Sequence, residues 1–417
     1  MCDLGTALCA IALGLSACAA PAGTASDPLP SGGGKGDSAG GAAWTVLVYG
    51  SYDTHDGGIP SSLAEMQQRV SVDNARVNLL YLEDLPGDGN TKLWKVGARS
   101  VELVEDEGEL HLGRPETLTA ILARVYAKYP AEHVMVDLVG HTNSGVAGFL
   151  PDYTPASPSW ELERMMYWQV RDALLASHVP IDVLALSGCG TGDLEVVARL
   201  ADTANYIVGL QEFNLGYTDV RWADSLVRNP DVSPVGLARR MAEGMFKKAW
   251  YDQGAGGATG AYDTSKMPAV KQALADLSGT LAAKLDADRA ALVAARTQAL
   301  QMKSEDLEFF VDARDLADQL QAVPDADVAA KAEAFGAAID GLVVAGGAPS
   351  YADDTDHAAA HGINLVFMRP GYTGRITDPT GFDQSSAWPA AETSFYEETG
   401  WRGFVTAIFD SLPAGAP

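Results

Sequence analysis

The amino-acid sequence predicts an α/β fold with a mostly parallel sheet, followed by a largely helical C-terminal region. Five short apolar runs in the first half have the composition of strands that are covered on both faces. Amphipathic segments with helical spacing separate several of these runs, which is the pattern of parallel strands joined by helices. The second half is rich in Ala and Leu and contains few strand-like runs.

The predicted strands of the first half are continuous apolar runs. They cover 44–50, 76–84, 133–140, 181–187 and 205–211. Two further segments, KLWKVGA and SVELVED, alternate polar and apolar residues and predict a hairpin at the edge of the sheet. Helices are predicted at 114–130, near 161–177 and at 193–201, the first of them with a proline in its first turn.

The second half is predicted to be mainly helical. The apolar spacing predicts helices at 234–250, 266–300, 305–320 and 326–342, and a last one near 393–411. GINLVFMR, at 362–369, predicts one more strand. We find no repeat of fixed period and no second hydrophobic segment long enough to span a membrane.

The N-terminus predicts export. Residues 1–17 resemble a signal peptide, and the ending Leu-Ser-Ala-Cys resembles a bacterial lipobox whose Cys18 would be acylated. The first residues depart from this pattern because they lack Lys and Arg. The alternative to the lipoprotein is an ordinary cleaved signal without lipid. Residues 18–43, rich in Gly, Ser, Ala and Pro, predict a flexible tether. We therefore expect a protein that is lipid-anchored to the bacterial cell envelope and contacts the membrane only through this anchor.

The charge balance excludes one class of partner. The 417 residues include 29 basic and 55 acidic side chains, giving a net charge of −26. Nucleic acid is not an expected partner, because its phosphates would be repelled. Hydrophobic residues make up 47% of the chain, enough to bury a sizeable core.

Two residues that follow predicted strands have the chemistry of a catalytic pair. Cys189 lies between two glycines directly after the strand at 181–187, and His141 follows the strand at 133–140. In parallel sheets the site lies at the carboxyl ends of the strands, so both side chains are expected at one edge. A helix expected two or three residues after Cys189 would favour the thiolate, and a histidine is a suitable base for it. An inert buried cysteine and an ordinary loop histidine are the alternatives.

Several segments resemble one family of enzymes. The segments WTVLVY, 108–145 around His141 and 181–212 around Cys189, with weaker blocks near 261–270, 309–320 and 361–370, are similar to the clostripain family of cysteine peptidases, relatives of caspases and gingipains. The resemblance implies a caspase-like α/β/α sandwich, with a peptidase core at 44–255 and a helical region at 256–417 that completes the domain. It also implies that the protein is a monomer. The expected reaction is hydrolysis of a peptide or protein substrate through a thioester acyl-enzyme.

The same resemblance assigns roles to individual residues. Cys189 would be the nucleophile and His141 the general acid and base, and the backbone N–H groups of Cys189 and Thr142 would form the oxyanion hole. The family's Asp-His-Gly reads Gly-His-Thr here. The family's Asp-Ala-Cys reads Ser-Gly-Cys here, with Ser187 in place of the aspartate. In the family that aspartate helps to select a basic residue before the scissile bond. Glu212 or Asp219 could supply an acid to that pocket instead.

The remaining expectations concern cofactors and alternative functions. No cofactor is expected to be required, but calcium is left open because the loops at 51–58 and 83–90 are acidic and contain glycine. No zinc or other metal site is expected, since the core has one cysteine and scattered histidines. A binding lipoprotein that kept the fold without activity is the main alternative, motivated by the two altered motifs. Cysteine-dependent acyl transfer to an amine is the second.

Overall fold

A nine-stranded sheet runs through the part of the chain that the structure describes. The computed structural model describes residues 41–53, 61–87, 89–142, 148–152, 164–212, 220–244, 258–302, 309–347, 360–368 and 394–411. The strands of the large sheet are β1 (Ala42–Ser51), β2 (Val77–Asp84), β3 (Thr91–Gly97), β4 (Ser100–Gly108), β5 (Ala131–Val139), β6 (Ile181–Ser187), β7 (Ala204–Leu210), β8 (Thr259–Asp263) and β10 (Val343–Gly347). A second sheet pairs β9 (Phe310–Asp312) with β11 (Asn364–Val366).

The centre of the large sheet is parallel and its two ends are antiparallel. The order of the strands is β10-β8-β7-β6-β5-β1-β2-β3-β4. The pairs from β2 through β1, β5 and β6 to β7 are parallel. The hairpin β3–β4 closes one end and β8–β10 closes the other, both with antiparallel pairing. The mostly parallel α/β sheet predicted from the sequence is thus confirmed.

Helices cover both faces of this sheet. They are α1 (Leu63–Arg69), α2 (Pro115–Lys128), α3 (Tyr167–Ala176), α4 (Leu194–Leu200), α5 (Arg221–Arg228), α6 (Pro234–Gly244), α7 (Met267–Gln298), α8 (Ala313–Gln321), α9 (Ala326–Leu342), α10 (Phe395–Glu398) and α11 (Trp401–Asp410). One core cluster joins the sheet to α2, α3, α4 and the helices from α7 onward, and the other joins it to α1, α5 and α6. The C-terminal helices therefore share a core with the sheet.

Alternation along the central strands explains the two cores. On β5, Val136 and Leu138 belong to the first cluster, whereas Met135 and Val139 belong to the second. Successive side chains of a strand point to opposite faces, so a strand covered on both sides is apolar at almost every position. Asp137 is the one charged residue in the buried part of β5, from Val134 to Val139, and it lies on the same face as Met135 and Val139.

The structure also corrects several element predictions. The sequence did not predict strands at β8 and β10, and the helix predicted at 305–320 contains the strand β9 at its start and the helix α8 after it. The helix predicted near 393–411 is two helices, because Gly400 has φ of 71° and interrupts it. No helix among the described residues is long and apolar enough to cross a membrane.

Some of the predicted features lie outside the described residues. These are the signal segment 1–17 with Cys18, the tether up to residue 40, and the domain boundary at 255. Part of each acidic loop, at 54–58 and at residue 88, also lies outside them.

Candidate active site

The two candidate catalytic residues follow neighbouring parallel strands, and each lies the same number of residues beyond the last paired residue of its strand. Val139 at the end of β5 pairs with Ser187 at the end of β6. His141 lies two residues beyond Val139, and Cys189 lies two residues beyond Ser187. The structure therefore brings both residues to one edge of the sheet, as the apolar runs predicted.

The two loops that carry these residues are in direct contact. The Gly140 N–H donates to the Ser187 carbonyl at 3.3 Å, and the Thr142 hydroxyl donates to the Cys189 carbonyl at 2.6 Å. A methyl group on Gly188 would lie 2.6 Å from Thr142 Cγ2 and 2.9 Å from the Gly140 carbonyl oxygen. Only a glycine fits between the loops, so the backbone around the histidine is held tightly against the backbone around the cysteine.

A network of hydrogen bonds holds the turn that presents Cys189. The Thr191 hydroxyl donates to the carbonyl of Leu186 at 2.8 Å, and the Gly190 N–H donates to the Glu212 carbonyl at 3.1 Å. Gly190 has φ of 62°, which a residue with a side chain adopts only at a cost. Cys189 is 9% exposed and is a reduced thiol in this structure, while His141 is half-buried.

The helix after the nucleophile begins within one residue of the predicted range 193–201, but farther from Cys189 than the two or three residues expected. It begins at Leu194, five residues after Cys189, and Asp193 is its N-cap, accepting a hydrogen bond from the Glu195 N–H at 2.8 Å. Its start is therefore farther from the sulfur than expected. The nucleophile turn is fixed by Thr191 and by its contact with Glu212 instead.

Buried carboxyl groups connect the nucleophile turn to the C-terminal region. Asp193 accepts a hydrogen bond from the Tyr396 hydroxyl at 2.7 Å, and Glu195 accepts one from the Tyr396 N–H at 3.2 Å. Burial raises the pKa of Asp193 to about 8 and that of Glu195 to about 7. Asn364 on β11 donates its backbone N–H to the Gly192 carbonyl at 2.7 Å. The C-terminal strand and helix thereby support the turn that carries Cys189.

Ser187, the residue that replaces the family's aspartate, has an acidic partner on the next strand. Its hydroxyl donates to Asp137 Oδ1 at 2.6 Å. Both side chains are about 1% exposed. Burial raises the pKa of Asp137 to about 6, and the Ser187 hydrogen bond opposes that rise. Asp137 was not among the predicted site residues, although a charged residue within the apolar strand HVMVDLVG was a visible signal.

The other predicted site residues have mixed outcomes. Glu212 is buried and lies beside the nucleophile turn through its backbone contact with Gly190. Asp219 and Cys18 lie outside the described residues. Within the described ranges no group of three or more His, Cys, Asp or Glu side chains is arranged to hold a metal ion.

The protein is of the cysteine-type peptidase class. This class is indicated by the mostly parallel sheet between helical layers and by Cys189 and His141 at one edge of that sheet. The chain belongs to the clostripain family, whose model matches residues 59–407. No curated protein matches the chain by sequence.

Solved structures of the family share the fold. A secreted C11 cysteine protease from Bacteroides thetaiotaomicron, in complex with an irreversible peptide inhibitor, is 15% identical with a TM-score of 0.61, and the match covers 86% of this chain and 99% of that one. An inactive zymogen C11 protease from Parabacteroides distasonis is 16% identical with a TM-score of 0.60, over 86% of this chain and 98% of that one. The α/β fold with a mostly parallel central sheet that was expected from the sequence agrees with these matches.

Proposed function

We propose that this protein is an endopeptidase that cleaves peptide bonds with a Cys189–His141 dyad. The observation that carries the proposal is the contact between the two loops, with Thr142 bonded to the Cys189 carbonyl and Gly188 filling the gap. This contact fixes the histidine loop relative to the nucleophile without using either catalytic side chain. A dyad of this kind needs such a fixed arrangement, because small misplacements of reacting groups cost large factors in rate.

The proposed chemistry follows from these positions. The Cys189 sulfur, having given its proton to His141, attacks the carbonyl carbon of the scissile peptide and forms a C–S bond. The backbone N–H groups of Cys189 and Thr142 donate to the oxyanion, and the Thr142 hydroxyl bond holds these two donors in register. His141 then protonates the leaving nitrogen as the C–N bond breaks, leaving a thioester. A water molecule, deprotonated by His141, attacks the thioester and restores the thiol.

We extend the proposal to cleavage after Arg or Lys. Two buried acidic residues contact the segment that carries the nucleophile: the Glu212 backbone carbonyl accepts from the Gly190 N–H, and the Asp137 carboxyl accepts from the Ser187 hydroxyl. Both are buried, where a negative charge attracts a cation more strongly than it does in water. Their negative charges would favour a basic side chain at a substrate site next to Cys189.

A peptide library tests the proposed activity. The wild type should hydrolyse a subset of the peptides, and C189A should hydrolyse none while keeping the wild-type melting temperature. H141N should lower kcat/KM by at least about 100-fold, as expected for loss of a general acid and base. Iodoacetamide should label Cys189 and abolish turnover in proportion to labelling.

The control for H141N is His133, a histidine on the strand β5 that precedes the His141 loop. His133 lies near the start of β5, at the opposite edge of the sheet, where it contacts Asp182 at 3.2 Å. H133N removes the same chemical group and should leave kcat/KM unchanged. Wild-type protein that turns over no peptide in the library would favour the binding lipoprotein instead. Transfer of the acyl group to an added amine in place of hydrolysis would favour a transferase.

We also propose that the protein is exported and carries a lipid on Cys18. The Leu-Ser-Ala-Cys sequence and the tether that follows it support this proposal. Expression in a bacterium fed with labelled palmitate should label the wild type and leave C18S unlabelled. Labelled C18S, or unlabelled wild type, would contradict it.

A further inference from the structure

Gln211, directly after β7, carries a buried amide that the proposed mechanism of hydrolysis does not use. Gln211 and Asn364 on β11 are both fully buried. The Gln211 amide nitrogen donates to Asp312 Oδ2 at 2.9 Å and to Asn364 Oδ1 at 3.0 Å. Its amide oxygen accepts the Gly362 N–H at 2.8 Å. Both hydrogens and the oxygen of this amide therefore have partners.

The partners of the Gln211 amide fix its orientation. The Asp312 carboxyl also accepts three backbone N–H groups, so it is an acceptor, whereas the Gly362 N–H is a donor. The amide nitrogen must therefore face Asp312, and the amide oxygen must face Gly362. Asn364 Nδ2 donates in return to the Gln211 carbonyl at 2.7 Å. A buried network in which every polar group is paired favours a single arrangement of its members.

The two residues beside Gln211 hold the turn that presents the nucleophile. The Leu210 carbonyl accepts the Gly192 N–H at 2.7 Å, and the Glu212 carbonyl accepts the Gly190 N–H at 3.1 Å. The carbonyl of Gln211, between them, accepts from the second sheet instead. The side chain of Gln211 therefore fixes the backbone segment on which two N–H groups of the nucleophile turn depend.

Asn364 holds the same turn through a further hydrogen bond. Its backbone N–H donates to the Gly192 carbonyl at 2.7 Å, while its side chain is bonded to Gln211. The nucleophile turn is thus bonded to the end of β7 and to β11, and one pair of amides joins these two segments. Without that pair the two segments could move separately, and Cys189, which directly precedes the turn, would move with them.

We propose that Gln211 is a positioning residue for Cys189 and acts through its paired amide, Asn364. The inference rests on the proposed Cys189–His141 hydrolysis and adds a residue that holds the sulfur in place relative to the imidazole. Gln211 takes no part in making or breaking bonds. The C-terminal strand β11 contributes to the reaction through this pair, although it lies more than 170 residues after Cys189 in the sequence.

The test separates positioning from folding by counting the active sites. Q211L keeps the approximate size of the side chain and removes its three hydrogen bonds. Titration with a peptidyl ketone that alkylates Cys189 gives the concentration of competent sites, and kcat is expressed per titrated site. Q211L should lower this kcat by at least about 10-fold and change KM by less than about threefold, because a misplaced nucleophile slows the chemical step. A variant that only folds less well would have fewer sites with the wild-type kcat, which would overturn the inference.

Gln301 provides a matched control in the same region of the fold. Its half-buried amide accepts from Arg296 on α7 and donates to the Phe310 carbonyl on β9 at 2.8 Å. These bonds join β9 to α7 and not to the nucleophile turn. Q301L makes the same chemical change as Q211L, and it should leave kcat per titrated site and KM unchanged.

Hydrogen exchange of the wild type covers the case in which Q211L does not fold, and it needs no substrate. The N–H groups of Gly190, Gly192, Gly362 and Asn364 should exchange through one common opening, with the same dependence on denaturant, because one network holds them. Separate openings, with Gly190 and Gly192 exchanging well before the other two, would overturn the inference. If the wild type cleaves no peptide, the proposed function fails, and the exchange experiment still decides whether Gln211 holds the turn.

Discussion

The glycine between the two loops gives the sharpest test of the site geometry. In G188A the new methyl carbon would lie 2.6 Å from Thr142 Cγ2, 2.8 Å from Phe149 Cε2 and 2.9 Å from the Gly140 carbonyl oxygen. Carbon atoms in contact prefer about 3.5–4.0 Å, so the loops must separate by roughly 1 Å to accept the methyl group. None of the three contacts is the far end of a long flexible side chain.

This separation should affect stability modestly and activity strongly. Overpacking of a well-packed site typically costs about 1–3 kcal/mol, so we expect a melting temperature lowered by a few degrees. A displacement of about 1 Å between reacting groups can cost around 100-fold in rate, which corresponds to about 3 kcal/mol in the activation barrier. The variant should therefore remain folded and be nearly inactive.

The assay combines calorimetry with hydrolysis of the best peptide from the library. G279A is the matched control, because Gly279 lies within α7 with nothing within 4 Å of the new methyl group. The same substitution should there raise stability by about 0.5–1 kcal/mol and leave kcat/KM unchanged. If G188A matched the wild type in both stability and activity, the close contact between the loops would be refuted.

Three further predictions test the surroundings of the site. T142V should keep the fold but lower kcat by about 10-fold, since it removes the hydrogen bond to the nucleophile's carbonyl, and steady-state kinetics measures this. The folded pKa values of Asp193 (about 8) and Glu195 (about 7) lie above their ordinary values of 3.8 and 4.5, so their contribution to stability is fully present only below those ordinary values and is lost progressively as pH rises from there through 7–8. Urea denaturation at a series of pH values should show that the free energy of unfolding falls less steeply with pH in D193N than in the wild type. An unchanged dependence on pH would contradict the burial of these groups. G400A should lower the free energy of unfolding by about 1 kcal/mol because φ is 71° there, whereas G403A, in an open helical position, should not lower it.

The placement of the catalytic edge could be predicted because the strands that define it are long and apolar. The runs at 133–140 and 181–187 are buried at nearly every position, and each is followed at once by glycine and a reactive side chain. Chain direction in a parallel sheet then fixes which end of each strand meets the substrate. The adjacency of β5 and β6 followed from their order along the chain.

The far end of the sheet could not be predicted in the same way. The strands β8 (Thr259–Asp263) and β10 (Val343–Gly347) are five residues each and contain glycines, which weaken any strand signal. Their formation depends on pairing with each other and with β7, a non-local interaction that no local pattern reports. The three-residue strand β9 is too short to interrupt a helical pattern visibly.

The polar contacts around the nucleophile could not be predicted from the sequence for a different reason. Asp137 and Ser187 lie 50 residues apart and meet only because β5 and β6 are neighbours. Tyr396 reaches Asp193 across 203 residues. Such contacts depend on tertiary packing, and the only local signal was a charged residue in an otherwise apolar strand.

The most direct test of the Cys189–His141 dyad is a crystal structure of the protein inactivated by a peptidyl ketone. We expect a covalent bond between the inhibitor and Cys189 Sγ, with a His141 ring nitrogen within about 4 Å of that sulfur and the inhibitor oxygen facing the N–H of Thr142. An adduct in which the imidazole lies on the other face of the sheet, or with the inhibitor bound to a different residue, would contradict it.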